Sequence, residues 1–357
     1  MSVLEHVVVI VTALAVTWVT TPLVRWLGIR WDIMSRGGGR HVHEGAVPRI
    51  GGVALFAGFL AAILARLAGE AWLGWSPILA SADKTLIGVL MGLAVIFAVG
   101  LLDDIIDLAP HQKLLGQLAA GLVIYIAGIR IDFIGDPFSD NLILLGVLSL
   151  PITLVWVAGF ANIINLIDGL DGLAAGVTAI AAVSLLVLAE QSNQPLAAIL
   201  AAALVGACIG FLRFNFNPAS IFMGDSGALF LGFALACISL LGVMKSVAAI
   251  TLVVPLLIVG VPIFDTLSAI IRRRRHGRPI QEADKGHIHH RLLGRGFSQR
   301  QTVVIIYIWS IALAFGGYAM RWVPTVFKLL TFVVLAVLSG LMAYWLGLFE
   351  AVHRDDE

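Results

Sequence analysis

Long apolar runs broken by short polar stretches set the character of this chain. Eleven runs approach the length that crosses a bilayer as a tilted helix, about 17 to 25 residues. They are 3–27, 50–67, 85–102, 114–129, 142–160, 170–188, 196–212, 228–243, 247–271, 302–320 and 323–349. The runs are continuous and lack the period-2 alternation of barrel strands, and lipid tolerates no unpaired backbone, so each is predicted as a helix. The fourth and eighth are short, and only Met244, Lys245 and Ser246 part the eighth from the ninth, which bounds the count at ten to twelve. The expected fold is an all-α polytopic membrane protein, a single integral membrane domain over 1–357 with about eleven transmembrane helices. The first run has Glu5 and His6 at its head in place of a basic stretch and is too long for a signal-peptide core, so it reads as a retained span.

Composition agrees with that reading. Of 357 residues, 60% are hydrophobic and 13% charged, and the mean hydropathy of +0.99 lies outside the soluble globular range. The net charge of +1 is uninformative, but its distribution is not. With eleven spans, the loops after the first, third, fifth, seventh and ninth share one face with the C-terminus, and that face carries 17 of the 23 Lys and Arg residues. The positive-inside rule makes it cytoplasmic, with the N-terminus outside and the C-terminus inside. Cys208 and Cys237 both lie in apolar runs, where packing and not a disulfide is expected.

Five polar clusters interrupt the apolar pattern: 43–52, 101–108, 162–176, 214–227 and 287–292. They fall in the five cytoplasmic loops, one in each, so topology alone gathers them on one face. The active site is therefore expected from 28–49, 103–113, 161–169, 213–227 and 272–301. Six acids, Asp103, Asp104, Asp107, Asp168, Asp171 and Asp225, stand at span ends with few basic neighbours in the same loops. Any one of them alone reads equally well as a solvated helix-end residue. Together they call for a cation, because an ionised side chain costs about 2.5 to 3.5 kcal/mol at mid-helix. Clustered oxygen ligands without cysteine favour a hard ion, Mg²⁺ with Mn²⁺ as a substitute, which would leave positions for water and substrate phosphate.

In the third cluster Asn162, Asn165, Asp168 and Asp171 recur at a spacing of three. On an ideal helix that step drifts by about 180° over nine residues, so a straight helix would point the two ends apart. Gly169 and Gly172 allow a break, which predicts a helix end near Asp168 and convergence of Asn165, Asp168 and Asp171 on a ligand. His287, His289 and His290 lack an accompanying cysteine and sit among Lys285, Arg291, Arg295 and the run Arg272 to Arg275, which favours phosphate over zinc. The arginine run by itself is a topology anchor or lipid headgroup contact. Asp265, an acid inside the ninth span, is expected to pair with one of these basic residues.

At these five clusters the sequence resembles the polyprenyl-phosphate N-acetylhexosamine-1-phosphate transferases, glycosyltransferase family 4. Asn-x-x-Asp-Gly-x-Asp-Gly and Gly-Asp-Ser-Gly are its specific motifs, and the resemblance runs in family order from about Asp32 to Phe297. It implies attack of a polyprenyl phosphate oxygen on the β-phosphorus of a UDP-sugar, releasing UMP. It also implies Asp225 as metal ligand with Asp168 beside it, and Asp103, Asp104, Asp168 and Lys113 as the catalytic group. The nucleotide sugar would meet Asn165, Asp171, Asn215, Phe222, His43 and Arg49, with Phe222 stacked on uracil. His287, His289, His290 and Arg291 would bind phosphate.

The His-x-His-His-Arg-Leu and Pro-Arg-Ile-Gly-Gly forms resemble the N-acetylglucosamine branch more than the muramoyl-pentapeptide branch, the alternative substrate. Gly37, Gly38 and Gly39 look inserted between Asp32 and His43, a departure from the family pattern. The expected partners are a UDP-sugar, undecaprenyl phosphate, membrane lipids and a second copy of the chain, with no nucleic acid. The expected place is the bacterial plasma membrane, with the site facing the cytoplasm and serving cell-surface polysaccharide synthesis. Two readings from other classes stay open: a transporter of anionic substrates, which would carry its charges at the midplane, and an inactive scaffold, which would have lost an acid.

Overall fold

A computed structural model describes residues 2–35, 46–135, 142–243, 253–275, 287–319, 322–323 and 325–346. Its helices are α1 (Val3–Arg30), α2 (Gly52–Trp72), α3 (Ile78–Ser81), α4 (Asp83–Ile106), α5 (Pro110–Ile126), α6 (Ser149–Ile167) and α7 (Leu173–Gln191). They continue with α8 (Pro195–Asn215), α9 (Gly224–Val243), α10 (Val253–Ile258), α11 (Gly260–Arg275), α12 (Ile288–Gly294), α13 (Gln299–Ala319) and α14 (Thr325–Trp345). Two antiparallel hairpins complete the architecture: β1 (Met34–Ser35) with β2 (Val47–Pro48), and β3 (Phe133–Gly135) with β4 (Leu142–Leu144).

Among the described residues eight helices are long and apolar enough to cross a membrane: α1, α2, α4, α6, α7, α8, α9 and α13. The fourth expected span falls on the 17-residue α5 and the eleventh on α14. The ninth differs from expectation. In place of one continuous helix, its described part is two, α10 and α11, parted at Val259. Gly260 and Pro262 explain the break, since the proline supplies no N–H to continue the ladder and the glycine weakens it.

The centre of the bundle is α8 and α9. The first packs on α1, α2 and α7, and the second on α4, α6, α7 and α8. A helix surrounded on all sides has no polar face to keep, which is why both are apolar all round. Small residues set how closely they approach their neighbours: a Cβ on Gly206 or Gly210 would lie 2.2 Å from the Ile10 carbonyl oxygen or 2.5 Å from that of Leu14.

Successive long helices alternate in direction. The C-terminal ends of α1, α4, α6 and α8 therefore meet the N-terminal ends of α2, α5, α7 and α9 at one end of the bundle. At the other end Arg66, wholly buried, donates to the Ser76 carbonyl at 2.9 Å and faces Glu70 at 3.2 Å and Glu5 at 3.8 Å. Glu70 in turn accepts the backbone N–H groups of Leu79 and Ala80, and His6 meets Glu190 at 3.0 Å.

Candidate active site

The polar end of the bundle holds a cavity of about 180 Å³. The break between α6 and α7 forms its floor. Helix α6 stops at Ile167, Asp168 caps it with φ −75° and ψ 46°, and the chain turns back into α7 through Gly172 at φ +78°. The turn brings Asn165, Asp168 and Asp171 to one cavity. Asn162, first in the same spacing, pairs instead with Gln117 of α5 in a reciprocal amide contact of 2.7 and 3.1 Å. That divergence is the helical drift expected over the preceding turns.

The second wall is the N-terminus of α9. Asp104 reaches across from the end of α4 and accepts the backbone N–H groups of Asp225 at 2.7 Å and Ser226 at 3.0 Å. Both its oxygens thus cap α9, a favourable place for a negative charge. Gly224 makes this possible with φ +67°, and a Cβ there would come within 1.9 Å of the Arg49 carbonyl oxygen and 2.5 Å of Asp104. The carboxylate expected to join the catalytic group is committed to positioning the residue that follows Gly224, namely Asp225.

Asp103 and Lys113 stand one step behind the cavity wall. Lys113 Nζ lies 2.5 Å from Asp103 and 2.6 Å from Asp225, and Asp103 also accepts the N–H of Leu108 at 2.7 Å. Burial works against the Lys113 ammonium, but Asp225 and Asp103 outweigh it and hold its pKa above the usual lysine value. Asp168 has no such partner. Among the described residues nothing hydrogen-bonds or ion-pairs with its side chain, and burial, then the charges of Asp225, Asp104 and Asp171, push its pKa well above the usual carboxylate range.

An uncompensated carboxylate among three others fits a cation. No three His, Cys, Asp or Glu side chains among the described residues form a ready-made metal cage. The donor set suits an ion that takes few protein ligands and fills its shell with water and phosphate.

Asp171 and Asn215, both lining the cavity, also brace its rim. Asp171 Oδ2 accepts the Ala219 N–H at 2.9 Å and the Asn217 side-chain amide at 3.1 Å. Asn215, 2% exposed, accepts the Gly172 N–H at 3.1 Å and donates to the Ile221 carbonyl at 3.0 Å, tying the α6–α7 turn to the segment before α9. That segment carries Phe222 to the cavity and is held on its other side by Pro48 and Gly51 through backbone bonds of 2.8 and 2.9 Å. Arg49 lines the cavity beside it, donates to Asp107 at 2.7 Å and leaves its Nε without a partner among the described residues.

His287, His289 and His290 close the cavity from α12 and its N-cap. The rings of His287 and His289 stack in parallel with centroids 5.7 Å apart. His289 packs against the backbone of Gly169, where a Cβ would come within 2.6 Å of its Nε2. Burial pushes its pKa down to about 3, so it is neutral at ordinary pH. Asp265, expected to meet a basic residue, meets His287 Nδ1 at 3.0 Å and the Ile288 N–H at 2.8 Å. Of the remaining expected residues, Arg291 sits half-buried on α12 outside the cavity wall, and His43 lies outside the described residues.

Ser35, on the β1 strand, lines the cavity and was not legible in the sequence, since the register of its two-residue strand opposite Val47 leaves no pattern. Leu166, Leu170 and Ala228 line it too, as apolar neighbours of the acids. Their signal was adjacency: each lies within three residues of a polar motif.

Residues 86–243 match the model of glycosyl transferase family 4. The chain is 37% identical over 342 residues to a Bacillus subtilis protein named "Probable undecaprenyl-phosphate N-acetylglucosaminyl 1-phosphate transferase", covering 96% of this chain and 92% of that one. It is 36% identical over 337 residues to decaprenyl-phosphate N-acetylglucosaminephosphotransferase of Mycobacterium tuberculosis strain H37Rv, covering 88% and 82%. It is also similar, at 30% identity over 315 residues, to a phospho-N-acetylmuramoyl-pentapeptide-transferase of Halalkalibacterium halodurans, covering 84% and 90%.

Proposed function

The chain belongs to glycosyl transferase family 4, and on that premise we propose that it transfers N-acetylglucosamine 1-phosphate from UDP-N-acetylglucosamine to undecaprenyl phosphate. An oxygen of the lipid phosphate attacks the β-phosphorus of the donor. A new P–O bond forms as the bond from the β-phosphorus to the bridging oxygen breaks, and UMP leaves with that oxygen. The observation that carries the reading is one cavity holding both kinds of group such a reaction needs: Asp168, without a hydrogen-bond or ion-pair partner among the described residues, together with Asp225, and the Arg49 guanidinium together with the ring nitrogens of the histidine cluster.

Asp168 and Asp225 would hold Mg²⁺. When bound, the ion supplies charge neutralisation, so that two phosphates can approach. The chain's own residues do the rest. Asp104 and Gly224 fix the α9 N-terminus so that Asp225 faces the cavity. Lys113 neutralises Asp103 and steadies Asp225 from behind. Asn165, Asp171 and Asn215 shape the nucleotide side, and Phe222 presents a ring to the base. No general base is required at neutral pH, because a phosphate monoester with a second pKa near 6 is already mostly dianionic.

The cavity end of the bundle is placed in the cytoplasm, with the N-terminus outside, in the bacterial plasma membrane. The distribution of Lys and Arg supports that placement.

The test is UMP release by purified protein from UDP-N-acetylglucosamine with undecaprenyl phosphate and Mg²⁺. Parallel arms carry Asp225→Ala and UDP-muramoyl-pentapeptide. Turnover that needs lipid, metal and Asp225 is expected, with the first donor preferred. Turnover only with the pentapeptide donor would reassign the sugar, and none in either arm from folded protein would overturn the transferase reading.

A further inference from the structure

Asp265 belongs to α11, while the histidine it holds belongs to the N-cap of α12. The acid is 2% exposed and the His287 residue 7%, so the contact is shielded from water. Its two oxygens are divided between two tasks. One accepts the Ile288 N–H at 2.8 Å and so caps α12, and the other faces His287 Nδ1 at 3.0 Å. An ionised carboxylate can only accept, so Nδ1 carries the proton. His287 lines the cavity, and with Nδ1 committed to Asp265 its Nε2 is, among the described residues, the ring nitrogen left for a ligand.

We propose that Asp265 is a positioning residue: it fixes the ring orientation and proton arrangement of His287 so that Nε2 meets a phosphate oxygen of the nucleotide sugar. The role rests on the transferase reading for the identity of that ligand. The physical logic is that of an acid behind a histidine, where the carboxylate sets the tautomer and supports the doubly protonated ring when an anion is opposite. The neighbouring ring of His289 cannot substitute, because its position is spent against Gly169.

Asp265→Asn separates this role from simple bracing. The amide oxygen can still accept the Ile288 N–H, which leaves the NH₂ group facing Nδ1. The ring must then accept at Nδ1 and carry its proton on Nε2, so the shape is kept while the proton arrangement is reversed.

The first measurement is UDP affinity by calorimetry for wild type, Asp265→Asn, His287→Gln and the double variant, which needs no turnover. Each single change is expected to weaken binding by about ten- to a hundredfold, the range of one charge-assisted hydrogen bond. The double variant should be no weaker than the poorer single one, because the acid acts through the histidine. Losses that multiply, or full binding in Asp265→Asn, would overturn the proposal.

Should Asp265→Asn fail to fold, ¹⁵N-histidine NMR of wild type against His287→Gln still decides. The signal lost in the variant should show a protonated Nδ1, and an unprotonated Nδ1 there would overturn the proposal. A protein that binds UDP as expected but releases no UMP in the assay above would defeat the transferase reading while leaving this one standing.

Discussion

At the scale of single residues, Asp168 is the side chain whose surroundings are least balanced. Three carboxylates lie near it and, among the described residues, no cation is paired with it, so the charge that would suit it for metal also costs stability without one. Asp168→Asn is therefore expected to abolish transfer yet raise the metal-free unfolding temperature by a few degrees, the effect of relieving about 1 to 2 kcal/mol. Mg²⁺ should raise the unfolding temperature of wild type and leave the variant unmoved. Thermal unfolding in detergent checks both, and a variant less stable than wild type would show that Asp168 is braced in some other way.

His289 carries a second prediction with a definite sign. Its folded pKa of about 3 lies below the ordinary histidine value of 6.5, so between those values the unfolded chain binds more protons than the native one. The contribution is complete above pH 6.5 and is lost as the pH falls toward 3. Stability should therefore rise with pH across that window, by up to about 1.4 kcal/mol per unit from this group. His289→Gln should flatten the slope in denaturation measured from pH 4 to 7.

At the scale of elements, the chain uses buried charge to fix helix ends in pairs. Asp104 joins α4 to α9, Asp265 joins α11 to α12, and Arg66 joins α2 to α1 and to the turn before α3. Arg66→Ala strands Glu5 and Glu70 in an apolar setting. It is expected to lower the unfolding temperature by about 5 to 10 °C, since breaking a buried pair costs about 3 to 5 kcal/mol.

These pairings also show where the sequence could be read and where it could not. The break at Asp168 was legible because glycines follow two acids at a spacing that no straight helix accommodates on one face. The partnership of Asp104 with a helix start 121 residues away was not, because an acid pair at a span end looks the same whether it caps a helix or faces substrate. Ser35 had no signal at all, and the kink at Val259 was written only in a nearby glycine and proline that also occur within unbroken spans.

At the scale of the whole molecule, parity of the spans did most of the work. Alternating helices must bring every second loop to one end, so five scattered motifs could be assigned to one face without any contact being known. The same geometry makes orientation testable. His111 and Ser76 are both exposed and lie at opposite ends, while Cys208 and Cys237 are fully buried. In intact cells, Ser76→Cys should react with a membrane-impermeant thiol reagent and His111→Cys should react only after the membrane is opened. The reverse pattern would invert the topology.

The ion cluster around Arg66 has a consequence for traffic across the bilayer. It laces α1 and α2 and the turn before α3 together at the end remote from the cavity, while the acids and histidines that line the cavity lie at the other. A catalyst whose substrate cavity lies at one end of the bundle returns its lipid-linked product to the leaflet from which the acceptor came. Polymer assembled outside the cell would then need a separate flippase to carry that sugar, head first, through the oil.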